Sequence, residues 1–205
     1  MSLASSLLQT RYQTGILIGA EVLSKLVDWE DRATAVLFGD GASGVLLSRT
    51  TEDRGLIAED LRTFGDRSQY LTAGTLLNAN KFVGTINETK PYFAMNGREV
   101  YNFATREVPA TLSAALEKAT LSADDIDVYD LHQANARIVK SIAKRFGQPM
   151  EKFPINMVDY GNTSAASIGI LLDELWQSGR VKSGQTIALS GFGGGLTVGT
   201  IIVKL

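Results

Sequence analysis

One histidine occurs in the 205 residues, His132, within the stretch Asp127-Val128-Tyr129-Asp130-Leu131-His132-Gln133-Ala134-Asn135-Ala136-Arg137. Imidazole is the side chain whose ordinary pKa allows proton exchange near neutrality. Residues 126–131 are β-prone and a helical pattern begins directly after them. His132 is therefore expected at the carboxyl edge of a sheet, where open α/β sheets keep their ligands. Two further features fall at the ends of elements. One is Asn162 in Tyr160-Gly161-Asn162-Thr163-Ser164-Ala165-Ala166-Ser167; the other is the bare-backbone run Gly191-Phe192-Gly193-Gly194-Gly195. A neutral imidazole and a carboxamide, both donating hydrogen bonds, could hold a thioester carbonyl or stabilise an enolate without a metal. Backbone N–H groups of the glycine run could form one arm of an oxyanion hole, since no side chain blocks approach. Each feature alone has a plainer role: a lone histidine is often structural, Asn162 could cap a helix, and the glycines could close a hairpin.

The elements that would carry these groups are legible as a pattern. Residues 5–12 read as the latter part of an amphipathic helix, 15–23 as a buried strand, and 35–48 as two apolar runs joined by glycines. No helix follows those glycines, so a phosphate loop is rejected there. Residues 50–90 carry a weak pattern with scattered glycines, and a segment of that length inside a domain usually covers or lines something functional. Residues 98–120 repeat Val100, Phe103, Ala104, Val108, Leu112, Ala115 and Leu116 at helical spacing, which should face a core. A helix over 134–146 places Ile138, Ile142 and Phe146 on one face, while Arg137, Lys140 and Lys144, with Arg145 beside them, form a basic stripe on another. Such a stripe is commonly just solvated surface, and it is also what an acidic partner would need. A short strand at 153–157, a helix from the serine-rich entry through Trp176, a strand at 186–190, a tight turn at 191–195 and a strand at 196–203 complete the order. The expectation is a layered α/β fold with helices on both faces of a sheet.

Composition narrows the classes. Hydrophobic content of 44% and charged content of 20% suit a globular chain, and a net charge of −2 argues against a general nucleic-acid binder. There is no cysteine, which removes disulfides, thiolate metal sites and a cysteine nucleophile from these residues. With one histidine besides, no metal is expected. No apolar run approaches a membrane span, and a cytoplasmic location is expected.

The strings Leu131-His132-Gln133-Ala134-Asn135, Tyr160-Gly161-Asn162-Thr163-Ser164-Ala165-Ala166-Ser167, Gly191-Phe192-Gly193-Gly194-Gly195 and, upstream, Val36-Leu37-Phe38-Gly39-Asp40-Gly41-Ala42 occur together. This combination resembles the β-ketoacyl-acyl-carrier-protein synthase III family of the thiolase-like superfamily, over nearly the whole chain. The resemblance implies a thiolase-like layered α/β fold. Residues 91–205 would be its complete C-terminal half, 51–90 connecting and substrate-tunnel loops, and 1–50 the last helix and strands of an N-terminal half. It implies decarboxylative Claisen condensation of an acyl-CoA with malonyl-carrier-protein, the initiating step of fatty acid synthesis. His132 and Asn162 would bind the malonyl thioester and stabilise the enolate, and Gly194 would offer its N–H to the oxyanion. Arg32, Arg137 and Asn135 match positions at the coenzyme A end of the site. Arg137, Lys140, Lys144 and Arg145 would form the docking face for the acidic carrier protein. Coenzyme A thioester enters as substrate, no cofactor is expected, and a homodimer is. The family's nucleophilic cysteine would precede residue 5, so the chain reads as N-terminally truncated and inactive alone. Other readings are a half-fold that only binds coenzyme A or carrier protein or that self-associates, and a polyketide-type relative.

Overall fold

A computed structural model describes residues 1–74 and 92–205. The elements in chain order are α1 (Ser2–Thr10), β1 (Thr14–Glu21), α2 (Arg32–Ala35), β2 (Gly41–Ser48), β3 (Gly55–Thr63), β4 (Leu71–Thr72), β5 (Ala94–Met95) and α3 (Gly97–Ala119). They continue through β6 (Val128–Leu131), α4 (Ala136–Phe146), α5 (Met157–Tyr160), α6 (Ser167–Gln177), β7 (Thr186–Gly193) and β8 (Thr197–Lys204). Polar residues set the helix starts. Asn96 accepts from the Glu99 amide at 3.2 Å, Asp31 from the Ala33 amide at 2.9 Å, and Asn135 from the Arg137 amide at 2.8 Å. These caps satisfy first-turn donors that the helices themselves leave free.

Strands β3, β8, β7 and β6 form one sheet in that order, with β6 parallel to β7 and the other pairs antiparallel. Period-two alternation splits β6 between two cores. Tyr129 and Leu131 join Phe103, Val108, Leu112, Val139 and Ile142 of α3 and α4 on one face. Val128 joins Ile187, Leu189, Leu171 and Leu175, the last two from α6, on the other. All seven residues expected to face the core from α3 are buried. A fully buried aliphatic side chain such as Ile142 contributes on the order of 1.5–3 kcal/mol, so these two apolar stripes hold the layers together.

The antiparallel pair β1–β2 packs on the entry to α6 rather than on the four-stranded sheet. Gly19 and Gly169 permit this approach: a Cβ on Gly19 would lie 2.6 Å from the Ala165 carbonyl oxygen, and the Ser43 hydroxyl donates to the Ala166 carbonyl at 3.0 Å. The described layers therefore run α3 and α4, sheet, α6, hairpin, which is the layered α/β architecture expected.

Four local expectations differ. The buried strand expected over residues 15–23 is β1, but it leaves Ile16 and Ile18 exposed among the described residues. Residues 36–38 continue from α2 and form only an isolated Phe38–Asn162 bridge with Phe38 stacked on Phe93, so the first apolar run is not a strand of the hairpin. Residues 153–157 form no strand; Phe153 is buried and stacks on Tyr129 at 4.5 Å with planes 3° apart, so its apolar character serves packing. The segment 50–90 contains β3, an edge strand paired with β8. Residues 75–91, part of the stretch expected to line the site, lie outside the described residues.

Candidate active site

Strand β6 delivers His132 to the carboxyl edge of the sheet, where its amide donates to the Ser190 carbonyl of β7 at 2.8 Å. The ring is almost fully enclosed. Its Nδ1 lies 2.7 Å from the Ser167 hydroxyl at the start of α6, and Phe192 meets it edge-on at 5.1 Å. Burial drives its pKa down to about 4, so the imidazole is neutral at physiological pH. With Nδ1 engaged, Nε2 is the atom that can address a ligand, and it has no partner among the described residues.

Asn162 arrives from the opposite side. Its backbone is held by residues 37–39: the Asn162 amide donates to Leu37 at 2.8 Å, and the Gly39 amide donates to Asn162 at 3.0 Å. A Cβ on Gly39 would overlap the Tyr160 carbonyl oxygen, which is why a bare backbone stands there. The Asn162 Oδ1 accepts from the Ser164 amide at 2.9 Å. Ser164 itself adopts φ of +51°, a costly conformation for a residue with a Cβ. That strained turn spends the carboxamide oxygen internally and leaves the Nδ2 hydrogens for a ligand.

His132, Asn162, Asn135 and Gly194 all line one cavity of about 940 Å³. Gly194 sits in the turn between β7 and β8, and its N–H meets no acceptor among the described residues. Thus three donors from distant sequence positions open on one volume whose walls include Phe38, Phe93 and Ile138. Carbonyl polarisation by neutral donors is the chemistry such a site can perform. Asn135 reaches the cavity while its Oδ1 is committed to capping α4.

The basic residues are elsewhere. Arg32 opens α2 and is exposed; its neighbours Asp31, Ala33 and Thr34 line the cavity, but it does not. Arg137, Lys140, Lys144 and Arg145 are exposed on α4, and the Arg145 guanidinium donates to the Thr105 carbonyl of α3 at 3.3 Å. Among the described residues no group of three or more acidic or histidine side chains could hold a metal, and no helix is long and apolar enough to cross a membrane.

Sequence reasoning passed over two residues of this region. Ser167 was visible as the last letter of the Asn162 string, but its contact with His132 spans 35 positions. Asp130 looked like part of a polar strand end. It is wholly buried on the α6 side of β6 with both carboxyl oxygens unpartnered, and burial holds its pKa well above the usual carboxylate range.

Comparison with known proteins gives a consistent result. A family model described as 3-oxoacyl-[acyl-carrier-protein] synthase III matches residues 1–65, and one described as the C-terminal part of that synthase matches 116–205. The chain is 54% identical over 199 residues to the β-ketoacyl-[acyl-carrier-protein] synthase III of Lactobacillus helveticus, covering 97% of this chain and 61% of that protein. It is 54% identical over 196 residues to the synthase of the same name from Limosilactobacillus reuteri, covering 95% and 60%. Among solved structures it resembles the synthase III of Thermus thermophilus, with a TM-score of 0.92 at 37% identity, covering all of this chain and 63% of that one. The Aquifex aeolicus synthase III gives 0.89 at 36%, covering all of this chain and 62% of that one. The chain thus spans about three-fifths of the length of the relatives it matches.

Proposed function

We propose that this chain, which belongs to the 3-oxoacyl-[acyl-carrier-protein] synthase III family, carries the part of a condensing site that binds a malonyl thioester and stabilises the enolate left by its decarboxylation. The enzyme class is acyltransferase: the initiating condensation of fatty acid synthesis joins an acyl-CoA to malonyl-carrier-protein and yields 3-oxoacyl-carrier-protein. The observation that supports this reading is the shared cavity of His132 and Asn162, each with one polar atom committed inside the protein and the other free.

The chemistry follows from those free atoms. A malonyl thioester carbonyl placed between Nε2–H of His132 and Nδ2–H of Asn162 accepts both hydrogen bonds. The bond from the malonyl methylene to its carboxylate breaks, carbon dioxide leaves, and the electron pair passes onto the thioester oxygen as an enolate. Negative charge grows on the atom that the two donors address, so their hydrogen bonds strengthen along the reaction; each such donor is worth on the order of 10²–10³ in rate. A neutral imidazole suits this task better than an imidazolium, which would hold the malonyl carboxylate too well. Gly194 N–H is assigned to the oxyanion of the subsequent condensation.

Acyl uptake is a different matter. No cysteine occurs in these 205 residues, and neither Ser5 nor Ser6 of α1 has an adjacent base, so we read this chain alone as unable to accept an acyl group. Coenzyme A thioester is a substrate here and no resident cofactor enters the scheme. Arg32, Arg137 and Asn135 are assigned to the coenzyme A end, and Arg137, Lys140, Lys144 and Arg145 to docking of an acidic carrier protein. Residues 1–50, 51–90 and 91–205 are read as part of the N-terminal half, a connecting segment that contributes strand β3 to the sheet, and the C-terminal half. A cytoplasmic homodimer is part of the same proposal.

Release of carbon dioxide from malonyl-pantetheine tests it. With no acyl group to attack, the enolate carbon takes a proton from water, so the chain should produce acetyl-pantetheine, and His132→Ala and Asn162→Ala should each abolish the activity while the fold persists. Turnover that survives both substitutions, or none in the unsubstituted chain, would overturn the assignment.

A further inference from the structure

The segment that presents Asn162 cannot hold itself in place. It follows α5, a single helical turn, and a turn of that length has no stability of its own. One side chain from another element grips both of its ends. Glu174 of α6 accepts from the Tyr160 hydroxyl on Oε1 at 2.6 Å and from the Asn156 Nδ2 on Oε2 at 2.7 Å. Asn156 precedes the turn and Tyr160 closes it, two residues before Asn162. Both distances fall in the range of hydrogen bonds strengthened by charge. The carboxylate also draws up the Tyr160 pKa, consistent with a phenol held in its protonated, donating form.

The same connection reaches the histidine. The Asn156 amide donates to Gln133 Oε1 at 3.3 Å, and Gln133 is buried beside His132. The Gln133 carboxamide then donates to the Leu131 carbonyl at 2.7 Å and to the Pro154 carbonyl at 3.4 Å. Leu131 is the last residue of β6 and the one before His132. A continuous path of hydrogen bonds therefore runs from the Asn162 turn through Glu174, Asn156 and Gln133 to the backbone that carries the imidazole.

We infer that Glu174 is a positioning residue: its two carboxylate oxygens fix the turn bearing Asn162 and the loop bearing His132 in one mutual arrangement. It touches neither the cavity lining nor any reacting atom. Its importance for catalysis rests on the malonyl-thioester reading, whereas its effect on local structure does not.

Amide hydrogen exchange and the imidazole ¹⁵N resonances of the only histidine measure that effect directly. In Glu174→Ala, exchange at Gly161, Asn162 and Ser164 should quicken about tenfold or more, the scale of one or two lost hydrogen bonds. The His132 resonances should move, and exchange in α3 and β7 should stay as in the unsubstituted chain. Tyr160→Phe removes only the first contact, so it should quicken Gly161 and Asn162 and leave the imidazole where it was. Glu174→Gln keeps one acceptor oxygen and should restore much of the protection. Should Glu174→Ala fail to fold, Tyr160→Phe and Glu174→Gln carry the same comparison. Unchanged exchange at 161–164 in Tyr160→Phe, or an unmoved imidazole in Glu174→Ala, overturns the inference. Absence of malonyl decarboxylation in the unsubstituted chain would sink the functional reading and leave the exchange result standing.

Discussion

Ser167 Oγ lies 2.7 Å from His132 Nδ1, with the two residues only 2% and 8% exposed. The hydroxyl is also 2.9 Å from the Ser164 carbonyl, whose two lone pairs can accept it together with the Ser167 amide. The malonyl-thioester reading requires the serine to donate along the shorter contact, to Nδ1, and the ring proton to sit on Nε2. Nitrogen NMR of the single imidazole should therefore show the Nε2–H form. Ser167→Ala should introduce the other tautomer and lower malonyl decarboxylation about fivefold to tenfold, the worth of one hydrogen bond. A ring protonated at Nδ1 in the unsubstituted chain would contradict the assignment.

Asn162 divides its labour between its two side-chain atoms. Asn162→Asp retains an oxygen for the Ser164 amide, so the melting temperature should change little. The variant loses the Nδ2 donor and sets negative charge against a developing enolate. Decarboxylation should fall by about 10² or more. Activity within a few-fold of the unsubstituted chain would show that the carboxamide hydrogens do not face the substrate.

Asp130 and His132 impose opposite pH dependences on stability. Burial raises the Asp130 pKa, so above the ordinary carboxylate range the folded chain holds an extra proton and stability declines as pH rises towards the raised value. Burial lowers the His132 pKa to about 4, so the folded chain lacks a proton between 6.5 and that value and stability declines as pH falls through this window. Asp130→Val substitutes an apolar, β-favouring side chain among Val128, Ile187 and Leu189. Urea unfolding at neutral pH should show it more stable by about 1–3 kcal/mol, since an unpartnered buried carboxyl is removed. The loss of stability towards acid should remain. A less stable variant would mean that the carboxyl has a partner that the described residues do not include.

The exposed cations of α4 act, on this account, at a distance from the chemistry. Lys140→Glu with Lys144→Glu should weaken binding of an acidic carrier protein about tenfold or more at low salt, with the difference shrinking as salt is added. Turnover of malonyl-pantetheine, which has no carrier protein, should be unaffected. Equal losses with both substrates would place the lysines in the site itself.

How much of this was legible in the chain depends on the range of the interactions involved. Helix α3 was readable because Val100 to Leu116 repeat at helical spacing and are all buried, six of the seven in one core. Strand β6 and the turn after β7 were readable from local chemistry, and with them His132 and Gly194. Strand β3 was missed because Asp60 and Arg62 interrupt its apolar pattern; Asp60 accepts from both Arg62 and Lys118 of α3, a contact 58 positions away. The apolar letters of residues 153–157 suggested a strand, yet Phe153 is a plug against Tyr129. Ser167 and Glu174 escaped for a common reason. Nothing in the helical pattern of α6 distinguishes them, and their roles appear only once the fold brings His132 and Tyr160 alongside.

A malonyl thioester analogue that cannot lose carbon dioxide, titrated against the ¹⁵N-labelled chain, tests the convergence of the two donors most directly. The His132 Nε2–H and the Asn162 side-chain NH₂ resonances should both move downfield, saturating together at one affinity. Movement of only one of them, or of neither while the analogue binds, would contradict the placement of imidazole and carboxamide on a single thioester carbonyl.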